Sequence, residues 1–385
     1  MADDRPYDSP VTGLERGLDR IAEVSGRGHD VVTLWREVTE IVSPLVPHFM
    51  GPCCFTMDPA TLLMTSHFNP AMYYALPEEM LRSEYYDEEP HDLASVARSK
   101  SGISTIHEAA GGDPSSSPRW QANMEMGGDQ EAIVAMRTRD GAAWGSLTLY
   151  REPGQALFGQ DELRFLAAVA PTIADGLKRA LLIGEAREPE GPQAPGLLVL
   201  SSELEPESAT PGTDAWLEDL PGGRYGGRLP AAVTAVARSA LRSSAGRDAP
   251  GEVALARVLS ESGTWVVLHG ATLTGPGAPR VAVIIEPAHP ARIVPLLMAA
   301  YGLTEREREI TRLVLQGNST SGIAEQLVIS PSTVQEHLKH IFEKTGVRSR
   351  RDLVGKVFFS HYEPRLRDNE QRVVDDLALR GGPAA

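Results

Sequence analysis

Apolar residues along this chain return at two different periods, and the changes of period mark its elements. From Val31 to Leu45, the residues Val31, Leu34, Trp35, Val38, Ile41, Val42 and Leu45 recur every three or four positions, which predicts one amphipathic helix. The runs "CCFTMDPATLLMTSHF" and "EAIVAMRTRDGAAWGSLTLYR" instead hold short apolar stretches on either side of Asp58-Pro59 and Asp140-Gly141, the pattern of two β-hairpins. Leu163, Leu166, Val169, Ile173, Leu177 and Leu181 form a long helical stripe that passes through Pro171, predicting a helix kinked where proline removes a backbone N–H. Between the hairpins, "SKSGISTIHEAAGGDPSSSPRW" is rich in Gly, Ser and Pro and reads as an irregular loop over a cavity.

Helix, hairpin, loop-rich middle, hairpin and long closing helix resembles the order of elements in a GAF-type sensor domain, expected over residues 29–185 behind an N-terminal helical segment at 1–28. That family holds small ligands or dimerises through its last helix, so the resemblance implies a dimer surface at Leu166, Ile173 and Leu177. The acidic, Pro-rich "EAREPEGPQAP" marks a linker at 186–195. Beyond it "GLLVLSS", "EVALARVLS", "TWVVLHGATL" and "RVAVIIEPA" read as strands, with "TDAWLEDLP" and "LPAAVTAVARSALRSS" as helices. Residues 196–290 thereby resemble a PAS-type domain.

The C-terminal stretch punctuates itself into helices. Thr304 with Glu307 fits a capping box and Gly317 a stop. Ser319 fits the start of a second helix, and Ser330 before Pro331 that of a third. On the third helix Val334, Leu338, Ile341, Phe342 and Thr345 share one face, while Gln335, Glu336, Lys339, His340 and Glu343 share the other. A short helix, a tight turn and a second helix with an outward polar face is the helix-turn-helix layout. Ser349 fits the cap of a fourth helix.

"LTEREREI" and "IAEQLVISPSTVQEHLKHIFEKTGVRSRRDLV" resemble the LuxR-type helix-turn-helix family without a gap, so residues 299–361 are expected to form its four-helix domain, with the helix-turn-helix at about 319–345 and a tail at 362–385. The resemblance implies base contacts by Gln335, Glu336, Lys339 and His340. It implies phosphate contacts by Ser319, Thr320, Ser332, Thr333, Lys344, Arg348 and Arg350, and dimer support from Leu353, Val357 and Phe358 on the fourth helix. Gln335 stands where lysine is common, and an amide there suits adenine. The fold class expected is therefore multidomain: an α+β GAF-like unit, an α+β PAS-like unit and an all-α helix-turn-helix unit.

Charge sharpens this picture. The 385 residues carry a formal −15, yet residues 299–360 hold nine Lys/Arg against seven Asp/Glu, leaving −17 elsewhere. Acidic bulk repels phosphate, so contact with nucleic acid is confined to the C-terminal unit. No apolar run approaches the ~18 residues that span a bilayer, and the opening "MADDRPYDSP" lacks a secretory pattern, so a cytoplasmic protein without membrane contact is expected. Double-stranded promoter or operator DNA, a second copy of the chain and RNA polymerase are the expected partners, with no cofactor and an unidentified effector. His337 and His340 stand at metal-ligand spacing without a third ligand nearby, so no metal is expected. The rival readings are a thiol enzyme reducing methionine sulfoxide through Cys53 and Cys54, or a non-catalytic interaction scaffold. Against the enzyme, both cysteines sit in an apolar run that reads as a buried strand, where a thiol is inert.

Overall fold

Two sheet-bearing units and one helical unit follow each other along the chain. The computed structural model describes residues 10–69, 78–85, 90–183, 195–223, 228–244, 254–273, 278–288, 298 and 301–354. In the first unit α1 (Pro10–Gly26) and α2 (Val31–Val42) precede β1 (Phe49–Met57) and β2 (Met64–Phe68). Then come α3 (Glu78–Tyr85), α4 (Leu93–Arg98), β3 (Ile103–Thr105), α5 (Ile106–Ala109) and α6 (Pro118–Glu125). The unit closes with β4 (Gln130–Arg137), β5 (Ala143–Arg151) and α7 (Gln160–Ile183). Its antiparallel sheet has the order β2-β1-β5-β4-β3.

Alternation along β1 divides this unit into two cores, because successive side chains point to opposite faces of a strand. Cys54 joins Trp35, Trp144, Leu147, Phe165 and Leu177 under α1, α2 and α7, whereas Cys53 and Phe55 join Met80, Leu93, Ile133 and Tyr150 on the other face. Gly145 on β5 allows α7 to seat, since a Cβ there would meet the Phe55 carbonyl oxygen and the Leu177 side chain. Ile21 and Val24 of α1 lie in the same core as α2 and α7, so this helix is part of the unit rather than a separate segment.

Two expectations need correction here. Leu166, Ile173 and Leu177 are fully buried in the first core and cannot form a dimer surface; the stripe that looked free in sequence is covered by α1, α2 and the sheet. The helix expected to be kinked at Pro171 runs as one 24-residue helix through that proline. The supposed loop at 99–120 contains β3, α5 and the start of α6. Each is too short for its periodicity to be visible, and α6 announces itself only by Ser117, whose side chain accepts from the Trp120 N–H, and by Pro118.

The second unit comprises β6 (Gly196–Leu200), β7 (Pro206–Ala209), α8 (Thr213–Asp219), α9 (Ala231–Ser244), β8 (Leu255–Leu259), β9 (Trp265–Leu273) and β10 (Arg280–Pro287). Its sheet order is β7-β6-β10-β9-β8, again antiparallel. Counted from each unit's own first strand, the two orders are identical. Every residue of α9 from Ala232 to Leu241 is buried, as expected of a helix covered on all sides. It packs on β9 and β10 of its own sheet and on β2 and α3 of the first unit.

The third unit is helical: α10 (Glu305–Leu315), α11 (Thr320–Leu327), α12 (Pro331–Thr345) and α13, described over 350–354. Ile310, Val314, Ile323, Val334, Leu338 and Ile341 form its core. Leu353 is 2% exposed and belongs to that core, so it braces α13 from within instead of offering a dimer contact. Val357 and Phe358 lie outside the described residues. Between α11 and α12 the chain turns through Val328 at φ 53, ψ 48, a left-handed conformation unfavourable to a β-branched residue. The Val328 side chain is 90% exposed, so removing it forfeits little packing. Val328→Asn is expected to raise the stability of this unit by ~1 kcal/mol, read as a higher melting temperature of the isolated transition; an unchanged or lower value would show the turn to be unstrained.

Candidate nucleic-acid interface

The expected caps fix where α10, α11 and α12 begin. Thr304 accepts from the Glu307 N–H while Glu307 Oε2 accepts from the Thr304 N–H at 2.7 Å, completing the capping box. Ser319 Oγ accepts from Gly322 N at 3.1 Å and Ser330 Oγ from Thr333 N at 3.0 Å, with Pro331 opening α12. Gly346, left-handed at φ 66, ends α12, a position where a side chain would be strained. Capped starts hold the remaining first-turn N–H groups free for anions.

Burial along α12 divides the helix as its period predicts. Val334, Leu338, Ile341 and Thr345 are buried, and Gln335, Glu336, Lys339, His340 and Glu343 are exposed. Those of them expected to meet bases thus share one open face. Gln335 Nε2 lies 3.5 Å from Thr320 Oγ1, so the outward edge of α12 meets the first turn of α11. Ser332 and Thr333 cluster on Ser330 Oγ at 2.6 and 2.8 Å, and Ser319 is exposed at the head of α11. Arg348 is exposed and Arg350 partly so, just beyond α12.

Lys344 has a different setting from the others. Its Nζ donates to Glu307 Oε2 at 2.6 Å, and that carboxylate is 4% exposed. Burial pushes the Glu307 carboxyl up, but hydrogen bonds from Lys344 and Thr304 outweigh burial and hold it below the usual range. The cation expected to meet phosphate therefore ties the end of α12 to the start of α10. Arg306 adds a second tie that the sequence pattern did not reveal, donating to the Leu327 carbonyl at 2.9 Å and to Glu309 at 2.7 Å.

In the first unit the structure gathers a buried charged cluster that no spacing signalled. Arg119 donates through Nε and Nη2 to Glu131 at 2.7 and 2.8 Å and through Nη1 to Glu84 at 2.6 Å. Asn123 and Tyr150 also donate to Glu131, at 2.9 and 3.2 Å. Burial pushes Glu84 up to about 8 despite Arg119, whereas Arg119 and its companions overcome burial at Glu131 and hold it low. One cation thus faces one carboxylate and one carboxylic acid, which leaves the dry site neutral. The two acids lie 12 and 35 positions from Arg119, so only the fold brings them together.

Cys53 and Cys54 are free and buried. Burial pushes the Cys53 thiol up to about 12, moderated by a hydrogen bond from Asn69 Nδ2 at 3.3 Å, and raises Cys54 well above the usual thiol value. Among the described residues, two cavities border the first unit. One of about 480 Å³ is lined by Thr105, His107, Gly111 and Gly112 from the Gly/Ser-rich segment together with Gln130 and Phe158. The other, about 670 Å³, lies between the two sheet-bearing units. Among the described residues no three His, Cys, Asp or Glu side chains are placed to hold a metal ion, and no helix is long and apolar enough to cross a membrane.

Residues 302–357 match the luxR family of bacterial regulatory proteins. A putative HTH-type transcriptional regulator of Mycobacterium bovis is 50% identical over 52 residues, which is 14% of this chain and 6% of that protein. The spore germination protein GerE of Bacillus subtilis is 42% identical over 52 residues, 14% of this chain and 70% of that protein. This chain therefore spans only about 6% of the length of the first curated relatives it matches. Among solved structures, the phytochrome photosensory core module of Stigmatella aurantiaca overlaps 47% of this chain and 38% of that chain at 12% identity and a TM-score of 0.32.

Proposed function

Because this chain belongs to the luxR family of bacterial regulatory proteins, we propose that it is a cytoplasmic, sequence-specific DNA-binding transcription regulator whose two sheet-bearing units govern how α12 is presented. The observation that carries this reading is the division of α12 into a buried apolar face and an open face bearing Gln335, Glu336, Lys339 and His340. An α-helix presented this way fits the major groove, where such side chains meet base edges. Ser319, Thr320, Ser332, Thr333, Arg348 and Arg350 are the phosphate contacts of the proposal, positioning the helix without reading sequence. Lys344 contributes mainly by locking α12 to α10 through Glu307.

The acidic remainder of the chain, −17 outside the C-terminal segment, opposes indiscriminate contact with phosphate. One small domain makes few phosphate contacts, and two presented together steepen both affinity and salt dependence. A homodimer is accordingly the DNA-binding form of the proposal, and RNA polymerase its further partner. The thiol-enzyme reading loses support, since a Cys53 thiol near 12 holds almost no thiolate at neutral pH and the thiolate is the nucleophile.

Selection of binding sites from random duplexes with the full chain provides the test. Lys339→Ala is expected to weaken the selected site by ~1–3 kcal/mol and relax one base position, whereas Arg350→Ala weakens all duplexes alike and shallows the salt dependence by about one unit. A Lys339→Ala protein with unchanged affinity and unchanged preference would mean that α12 does not read bases through this face.

A further inference from the structure

The 670 Å³ cavity at the junction has walls from both sheet-bearing units: α2, β2 and the end of α7 on one side, and β8 with the turn after it on the other. Strands β2 and β8 are edge strands of their respective sheets, so the cavity opens where two sheets end instead of inside either one. A size of this order suits a drug-sized molecule, and such sites concentrate at domain junctions. The walls are fastened together beside it by Asp58 and Arg257, which pair at 2.7 and 2.8 Å across 199 positions of sequence.

The lining specifies a chemistry. Thr56, Thr65, Ser66 and Ser260 bring hydroxyls, three of them already linked, with Thr56 Oγ1 at 2.7 Å from Thr65 Oγ1 and 2.5 Å from Ser66 Oγ. His67 contributes a ring stacked on Phe55 at 5.1 Å, and its buried Nε2 has no hydrogen-bond partner. A buried ring nitrogen without a partner is costly, and a hydroxyl or amide in the cavity would remove that cost. Val31, Val32, Phe68, Leu181, Val258 and Leu259 supply an apolar wall. Among the described lining residues the charged ones are Asp30 and Glu261, both acidic, with no Lys or Arg beside them, so the field they set opposes anions.

We propose that this junction cavity binds an uncharged amphiphile of drug size, apolar along one side and carrying a hydroxyl or amide at one end. This deepens the sensing part of the function proposed above and rests on it only for its consequence. Since both units build the walls, binding is coupled to how they are held together.

The full chain, without DNA, is titrated with the uncharged fluorophore N-phenyl-1-naphthylamine and with the anionic 1-anilinonaphthalene-8-sulfonate. Saturable binding of one neutral probe per chain is expected, with the anion at least tenfold weaker. Val32 is 47% exposed, so Val32→Trp fills the cavity mouth without entering the core and should weaken the neutral probe at least tenfold at an unchanged melting temperature. Glu261 is exposed, and Glu261→Lys should tighten the anion while leaving the neutral probe as it was. No saturable binding, equal affinity in Val32→Trp, or equal affinity for the two probes would overturn the proposal. None of these results touches the base readout by α12, just as a failed Lys339→Ala test would leave the cavity standing.

Discussion

Arg119→Ala is expected to cost the first unit ~3–5 kcal/mol, the range for removing one partner of a buried ion pair, measured as the change in urea unfolding of the full chain. Arg119 is 2% exposed and its two acidic partners, Glu131 and Glu84, 0% and 5%, so neither acid reaches water when the guanidinium is lost. Glu131 suffers most, because Asn123 and Tyr150, which still donate to it, are neutral and cannot replace the lost cation. Filling the space does not help: Arg119→Met should lose nearly as much, since the cost lies in the stranded charge and not in the volume. Replacing Arg119, Glu131 and Glu84 together by Met, Leu and Leu should restore most of the loss, as apolar substitution of a whole buried cluster commonly does. A loss below ~1 kcal/mol for Arg119→Ala would place the cluster in contact with solvent.

The same cluster sets a pH dependence. Glu84 titrates near 8 in the folded protein against an ordinary 4.5, so between these values the folded state binds the extra proton. Its contribution is fully present below about 4.5 and is lost as pH rises through 8. His91 acts in the opposite sense: burial lowers it from 6.5 to about 4, so its contribution is present above 6.5 and lost as pH falls through 4. Glu84→Gln should therefore flatten the decline in stability between about pH 4.5 and about pH 8 and leave the loss assigned to His91 intact. If the alkaline decline persisted unchanged in Glu84→Gln, the proton would reside elsewhere.

What the sequence disclosed and what it concealed follow from the range over which each signal acts. The caps at Thr304, Ser319 and Ser330 are satisfied within three residues, so their chemistry is complete in a short window, and α12 shows its two faces in fifteen residues. The hairpins at Asp58-Pro59 and Asp140-Gly141 are equally local. In contrast, the stripe Leu166, Ile173, Leu177 was legible as apolar but not as covered, because α1, which covers it, lies about 150 residues earlier. The Arg119 cluster and the Lys344–Glu307 tie were hidden for the same reason. Periodicity reports that a face is buried; only the fold reports against what.

Arg257→Ala is expected to loosen the junction by ~3 kcal/mol, near the lower end for a buried pair. Asp58 has no exposure and Arg257 only 11%, and the carboxylate accepts from Arg257 Nε, Nη2 and backbone N at 2.8, 2.7 and 3.0 Å. Losing the side chain leaves the backbone N–H of residue 257 and the Ala60 N–H at 2.9 Å to hold a buried negative charge. Because the partners belong to different units, the loss should appear as uncoupling: one unfolding transition for the two sheet-bearing units in the native chain, two in the variant. Asp58→Ala and the double variant complete the cycle, with a coupling of ~2 kcal/mol expected between them. A coupling near zero would assign the junction to α9, which buries its apolar surface against β2 and α3, and would make the ion pair an ornament of a joint that hydrophobic contact already holds.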